Sequence, residues 1–214
     1  MNVVGLSVLL VLVGYLLGAI PVGLLVARIV GVDPRQAGSR RTGATNVLRT
    51  VGAGGAAIVL ILDVAKGSAA VLIVEAAFAS TGATGAWIAA AAGVAAVIGH
   101  IRSIFIGFGG GRGVATAAGA LLAISPWSIP ILAPLVLVVI WRTRYVSMGS
   151  ICGALAAPIV TAGLALSGAA TAASIAFAVA AGALVIWSHA DNITRLRTGT
   201  ERRLGEKAPA GGHG

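Results

Sequence analysis

A run of glycines that ends in an arginine and opens into an apolar stretch is the segment of this chain best suited to hold an anion. It reads Phe108-Gly109-Gly110-Gly111-Arg112-Gly113-Val114-Ala115-Thr116. Glycines leave backbone N–H groups unobstructed, a helix starting at Val114 adds the positive end of its dipole, and Arg112 can grip phosphate oxygens bidentately. The order Gly-x-x-x-x-Gly-Lys-Ser/Thr is absent, so this is not the nucleotide-binding P-loop. Taken alone, the run is equally a flexible turn beside a packed helix. A second polar stretch, Gly38-Ser39-Arg40-Arg41-Thr42-Gly43-Ala44-Thr45-Asn46-Val47-Leu48-Arg49, supplies donors at Ser39, Thr45, Asn46 and Arg49 and tips the reading toward a phosphate site.

Two further stretches carry groups that bind hydroxyls or move protons. His189 and Asn192 are three apart and share a face if the last helix continues through them. With Ser147 or Ser150 they form a set able to hydrogen-bond a small polyol or phosphate. His189 also titrates in the range a general base needs, although an interfacial structural role fits a lone histidine equally well. His100 directly follows an apolar stretch and reads first as a helix-end cap. Asp63 and Lys66, three apart within an apolar stretch, read as a mutually neutralising pair, with the functional presumption attached to any ionisable group in a membrane. Glu75 attracts no role.

These groups must be positioned by elements unlike those of a soluble domain. Only 10% of the 214 residues are charged, against about a quarter in soluble domains, and 58% are hydrophobic. Mean hydropathy is +1.01. Disorder is excluded by the same apolar excess, and the solvent is a bilayer. The 15 Lys and Arg against 6 Asp and Glu are explained by positive charge gathering in cytoplasmic loops. No basic run is interleaved with aromatics, so nucleic acid is not expected as a partner. Cys152 stands alone, which excludes an intrachain disulfide and a thiolate zinc site, and it reads as an inert buried thiol. No metal site is expected.

About 20 apolar residues cross the hydrocarbon as a helix. Val3 to Val30 does so with a kink at Pro21, and Val47 to Phe78 and Ala83 to Gly99 follow. Val114 to Trp141 contains Pro126, Pro130 and Pro134 and reads as two segments meeting near Ser125. Gly149 to Leu166 and Ala170 to Ser188 complete seven segments, or five spans if the broken pieces do not fully cross. With seven, 14 of the 15 basic residues fall on one side and only Lys66 lies within a span. The expected fold is therefore an all-α polytopic membrane bundle with its N-terminus outside and its C-terminus cytoplasmic. The first basic residue is Arg28, so the N-terminus reads as a retained helix and not a cleaved signal peptide. Residues 1–207 read as one domain and Ala208 to Gly214 as a flexible tail. Gly14 to Gly18 and Gly149 to Gly153 have the small-xxx-small spacing of helix packing.

The loops, in their order, resemble the bacterial acyl-phosphate-dependent glycerol-3-phosphate acyltransferase family, the PlsY type. The matching pieces are Gly18-Ala19-Ile20-Pro21, Gly38-Ser39 with Gly43 to Arg49, Asp63-x-x-Lys66-Gly67, Gly99-His100, Gly110 to Thr116, Ser147-x-x-Ser150-Ile151, and His189 to Glu201. The resemblance implies a seven-helix bacterial plasma-membrane enzyme with a site facing the cytoplasm and no nucleotide, metal, acyl-carrier or other cofactor requirement. It would move a fatty acyl group from acyl phosphate to the 1-hydroxyl of glycerol 3-phosphate, giving lysophosphatidic acid and phosphate. Carried over by position, Ser39, Thr45, Asn46, Arg49 and Gly110, Gly111, Arg112 and Gly113 hold the acyl phosphate. Arg49, Arg112, Ser147, Ser150, His189 and Asn192 hold glycerol 3-phosphate, with His189, Ser39, Arg49 and Ser147 nearest the chemistry. The proton of the attacking hydroxyl goes either to His189 or to a substrate phosphate. Membrane lipid is the expected surrounding, and the oligomeric state is left open.

The chain departs from the family pattern at four places. Arg40-Arg41 replace Gly-Asn, Gly109 and Arg112 replace lysines, and Ser103 replaces a proline. Arginine keeps the charge of lysine but not its geometry, and Arg40 and Arg41 are placed to compensate for the lysine missing at Gly109. The competing readings are a small anion or organophosphate transporter and a catalytically silent relative. A transporter would place polar residues at the membrane midplane in corresponding halves, whereas here only Asp63 and Lys66 are so placed.

Overall fold

A computed structural model describes residues 2–206. Among them the chain forms α-helices and no strand: α1 Val3–Ala19, α2 Val22–Ile29, α3 Ala44–Thr50, α4 Ala53–Ala77, α5 Ala83–Ile101, α6 Val114–Ile124, α7 Ser128–Thr143, α8 Val146–Leu166, α9 Ala172–Ser188 and α10 Ala190–Arg197. A single 3-10 turn, Ile104–Ile106, lies between α5 and α6. Lys207 and the tail expected from Ala208 to Gly214 fall outside the described residues, and with them the domain boundary.

Four stretches are long and apolar enough to cross a bilayer: Val3–Ile29, Ala53–Ala77, Ala83–Ile101 and Val146–Leu166. The pair Ala172–Ser188 and Ala190–Arg197, bent by 58°, adds a fifth. The chain is thus a multi-pass helical membrane protein. The stretches expected as seven segments are helical, but among the described residues only these four, or five with the bent pair, are long enough to be spans, and α6 and α7 are shorter. At 1.5 Å per residue the 11 residues of α6 reach only about 16 Å, half the hydrocarbon thickness. The break falls at Ser125–Trp127, where the Ser125 and Ser128 hydroxyls satisfy each other at 2.8 Å. Pro130 sits in the first turn of α7, where its missing donor is not needed, and Pro134 is carried inside the helix. The stretch from Val47 to Phe78 is also not one helix, because Gly52, at φ 115°, separates α3 from α4.

Close backbone contact holds the bundle together. A Cβ on Gly14 would come within 2.7 Å of the Ala92 carbonyl oxygen, and one on Gly18 would overlap Ala96, so α1 lies directly on α5. Gly67 and Gly119 lock α4 to α6 reciprocally, each facing the other helix's backbone at Thr116 and Val64. Without a hydrophobic drive between helices in lipid, such small-residue contacts supply the van der Waals packing.

At the Pro21 kink the helix is interrupted at Ile20–Pro21 between α1 and α2, which run on as one span. The interruption frees the carbonyls of Ala19 and Ile20, and the interior supplies a donor for each. The Ser103 hydroxyl donates to Ala19, and the Lys66 ammonium donates to Ile20 at 2.9 Å. Lys66 also pairs with Asp63 at 2.9 Å, as expected from their spacing. His100 joins them, with Nδ1 3.5 Å from Asp63 and 3.1 Å from the Thr116 hydroxyl. His100 therefore does more than cap α5: it ties the middle of α4 and the start of α6 to the end of α5, directly beneath the glycine run.

Candidate active site

The glycine run is packed against the end of α5. The Gly111 amide donates to the His100 carbonyl at 3.1 Å. A Cβ on Gly110 would overlap that carbonyl, and one on Gly111 would overlap the His100 ring. Gly113 adopts φ 80°, with Ile101 and Val97 side-chain carbons 3.1 Å from where its Cβ would lie. Glycine is required here for close approach, and the run is not a flexible turn. The first-turn amides of α6 have no partners within the helix. Beside them, the Arg112 carbonyl accepts from the Ser188 hydroxyl of α9 at 2.9 Å, and the Arg112 guanidinium meets Asp191 at 3.0 Å.

The last helix does not continue through His189. It bends there, and His189 Nδ1 lies 2.7 Å from the Val185 carbonyl one turn back. A carbonyl can only accept, so Nδ1 carries the proton and Nε2 presents its lone pair. Burial, opposed chiefly by the Val185 bond, pushes the His189 pKa down to about 4, which keeps the ring neutral.

Asn192 on α10 donates to Glu201 at 2.6 Å, and the Ser147 hydroxyl of α8 donates to the same carboxylate oxygen at 2.8 Å. Arg195 donates to the other oxygen at 2.7 Å and reaches Asp191 at 3.2 Å. Burial raises the Glu201 pKa, but the bonds from Arg195, Ser147 and Asn192 prevail and hold it below the usual range. Asp191 is likewise held low, as Arg112, Arg195 and Arg41 together outweigh its burial. Three buried polar atoms of this cluster, Arg112 Nε, Asp191 Oδ1 and Asn192 Oδ1, have no hydrogen-bond partner among the described residues. Native interiors rarely leave such groups unpaired, and their convergence makes this cluster a candidate ligand site.

The structure thus brings Arg112, His189, Asn192 and Ser147 into one cluster. Ser150 lies elsewhere: its hydroxyl bonds back to the Val146 carbonyl and it lines an apolar slot of about 300 Å³ between α6, α7, α8 and α9. Val114 and Val185 line the same slot, so it opens beside the polar cluster.

The first loop docks on the glycine run where the Thr42 amide approaches the Gly110 carbonyl at 3.5 Å. Asn46 is buried within that loop and its amide is fully engaged. Its nitrogen donates to the carbonyls of Pro34, Ala37 and Arg41, and its oxygen accepts from the Ser39 amide at 2.9 Å. Asn46 therefore shapes the loop that carries Ser39. Thr45 and Arg49 line a cleft of about 610 Å³ whose far wall is the C-terminal strap at Leu204, Gly205 and Glu206. Arg49 points toward the strap, with the Arg202 carbonyl 3.5 Å away, and the charge of Glu201 acts on it.

The sequence reading missed four participants: Ser188, Asp191, Arg195 and Glu201. Glu201 sits in a polar stretch with no local signal, although a carboxylate among so many arginines was a clue. Ser188 is hidden at the end of an apolar helix.

The profile of the family described as "Glycerol-3-phosphate acyltransferase" matches residues 8–199. This chain belongs to the glycerol-3-phosphate acyltransferase family. A member from Thermus thermophilus is 45% identical over 203 residues, covering 93% of this chain and 96% of that protein. Glycerol-3-phosphate acyltransferase 1 of Deinococcus radiodurans is 44% identical, covering 94% and 97%. A crystal structure of PlsY, an integral membrane glycerol 3-phosphate acyltransferase, in its glycerol 3-phosphate form is similar with a TM-score of 0.83 at 37% identity, covering 93% of this chain and 96% of that one. Its lysophosphatidic acid form is similar with a TM-score of 0.81.

Against this acyltransferase background the departures gain physical content. Arg40 stands at φ 57°, a left-handed position that glycine adopts without strain. Arg41 is half-buried, and its charge acts on both Arg112 and Asp191. Ser103 uses what a proline lacks: its amide donates to the Gly109 carbonyl at 2.9 Å while its hydroxyl caps Ala19.

Proposed function

We propose that this acyltransferase moves a fatty acyl group from acyl phosphate to the 1-hydroxyl of glycerol 3-phosphate at a cytoplasm-facing site, producing lysophosphatidic acid for membrane phospholipid synthesis. The observation that carries this reading is the join between a cationic, partly unpaired polar cluster and a slot lined almost wholly by hydrocarbon. One substrate must present a phosphate and an alkyl chain to the same place, and an acyl phosphate does so. Crossing by seven segments, with the N-terminus outside, accords with the one-sided placement of the arginines.

Acyl phosphate is a mixed anhydride, so no covalent enzyme intermediate is needed and positioning with charge stabilisation carries the acceleration. Arg112, the glycine run and the first-turn amides of α6 hold the donor phosphate, with Ser39 and Thr45 approaching from the first loop and Asn46 holding that loop in shape. Arg49, Ser147 and Asn192 hold glycerol 3-phosphate, the free Asn192 Oδ1 accepting from a glycerol hydroxyl. Ser150 lines the mouth of the acyl slot. The 1-hydroxyl oxygen bonds to the acyl carbon as the bond from that carbon to the phosphate oxygen breaks. His189 Nε2 orients the hydroxyl by accepting from it. With its pKa near 4, His189 is a weaker base than a phosphate, whose second pKa is about 6. The departing phosphate takes the proton.

Phosphate release by purified protein given myristoyl or palmitoyl phosphate, with and without glycerol 3-phosphate, tests the reading. Release that depends on the acceptor and collapses in Arg112→Ala is expected. Folded wild-type protein that releases none would refute it.

A further inference from the structure

The apolar slot runs down α9 from Val185 to Phe177. Ala178, Ala181 and Gly182 form its buried α9 wall, Gly182 so close to α8 that a Cβ would come within 2.7 Å of the Ala154 carbonyl oxygen, and Phe177, large and 1% exposed, is the deepest α9 residue on it. Its ring is seated against Gly93 of α5, where a Cβ would come within 2.9 Å of the ring. Leu121 of α6 and Leu132 of α7, both buried, line the slot as well. From the level of His189 to Phe177 is twelve residues of α9, about 18 Å at the helical rise. An extended alkyl chain with bonds of about 1.5 Å advances about 1.25 Å per carbon, so roughly fourteen carbons fit between the reacting carbonyl and the ring.

Given the acyl-transfer reading above, on which this rests, we infer that Phe177 is the floor of the acyl slot and limits the length of fatty chain the enzyme accepts to about fourteen carbons. The small residues above it form the walls, and Gly93 behind the ring gives it a fixed seat. A chain longer than the slot must displace the ring or bend out between helices. One methylene too many in a shaped apolar pocket costs about tenfold or more in kcat/KM.

The test is the chain-length profile of kcat/KM for saturated acyl phosphates from ten to twenty carbons, at saturating glycerol 3-phosphate, for wild type and two variants that act in opposite directions. Phe177→Ala removes the floor, and the ratio of kcat/KM for eighteen carbons to that for fourteen is expected to rise by about tenfold or more. Ala118→Leu adds bulk on the half-buried α6 wall of the slot, one turn below Val114 at its mouth and about 6 Å nearer the site than Phe177, and moves the break about five carbons shorter. Ala118 is half-buried and outside the buried core, so folding is retained even where the phenylalanine variant is too destabilised to purify. Lower activity at every length is what destabilisation alone produces, whereas the inference requires the break itself to move.

A wild-type profile without a break, or one unmoved in either folded variant while transfer proceeds, would overturn the inference and leave the acyl-transfer reading standing. Wild-type protein inactive with every donor length would overturn both.

Discussion

Glu201 is the residue whose removal should separate acceptor binding from donor binding. Its carboxylate takes bonds from Ser147, Asn192 and Arg195 at 2.8, 2.6 and 2.7 Å. In Glu201→Ala the three donors fare differently. Ser147 is a hydroxyl in the first turn of a helix and can turn to its own backbone. Arg195 keeps Asp191 at 3.2 Å and is about one-third exposed, so water compensates much of its loss. Asn192 is 3% exposed and has no substitute partner. A stranded buried donor costs about 1–3 kcal/mol, so the change is worth about 2 kcal/mol, or roughly thirtyfold. That cost should appear as a raised KM for glycerol 3-phosphate with the KM for acyl phosphate within about twofold, because Asn192 and Ser147 contact the acceptor in the proposed site. Glu201→Gln keeps an oxygen for Ser147 and Asn192 and loses only the charged bond to Arg195, which predicts an effect of about fivefold or less. Phosphate release, titrated separately in each substrate, reads both numbers. A glutamine variant as impaired as the alanine one would show that charge, not hydrogen-bond geometry, is what Glu201 contributes. An alanine variant with an unchanged acceptor KM would refute the assignment of Asn192 to glycerol 3-phosphate.

Arg40→Gly should raise thermal stability by up to about 1 kcal/mol, since it relieves a left-handed backbone at φ 57° and gives back only part of the gain as chain entropy; thermal unfolding in detergent measures it. Lys66→Met strands a buried carboxylate and should cost about 3–5 kcal/mol, whereas Asp63→Leu added to it should recover most of the loss. Equal destabilisation in the single and double variants would contradict the pairing. His189 has an ordinary value of 6.5 and a folded value of about 4, so between those pH values the unfolded chain binds more protons than the folded one. Stability should therefore fall as pH is lowered from about 6.5 to about 4, and His189→Gln should flatten that slope in melting temperatures.

Composition and motif order established much before any coordinates. An apolar chain with its arginines gathered in alternate connections had to be a helical membrane bundle, because in lipid every backbone group must be satisfied within a segment. Pro21 and Pro126 announced their breaks, since a residue without an N–H cannot continue a helix unaided. Asp63 and Lys66 could be paired from their spacing alone, which puts them on one helical face. The glycine run and Arg112 stood out as a candidate anion site for the same kind of reason: backbone freedom and guanidinium geometry are local properties.

What the tertiary structure decided are contacts between residues far apart in the chain. Glu201 lies 54 positions from Ser147, and nothing local to either predicts their bond. The choice between Ser147 and Ser150 depended on which way α8 turns each hydroxyl, and the use of Asn46 within its own loop depended on how that loop closes. His100 of α5 meets Asp63 of α4 and Thr116 of α6 only where the three helices pack together. The acyl slot follows from the same rule. Alanine and glycine bring some helices together and leave volume between others, and only the assembled bundle distinguishes the two outcomes.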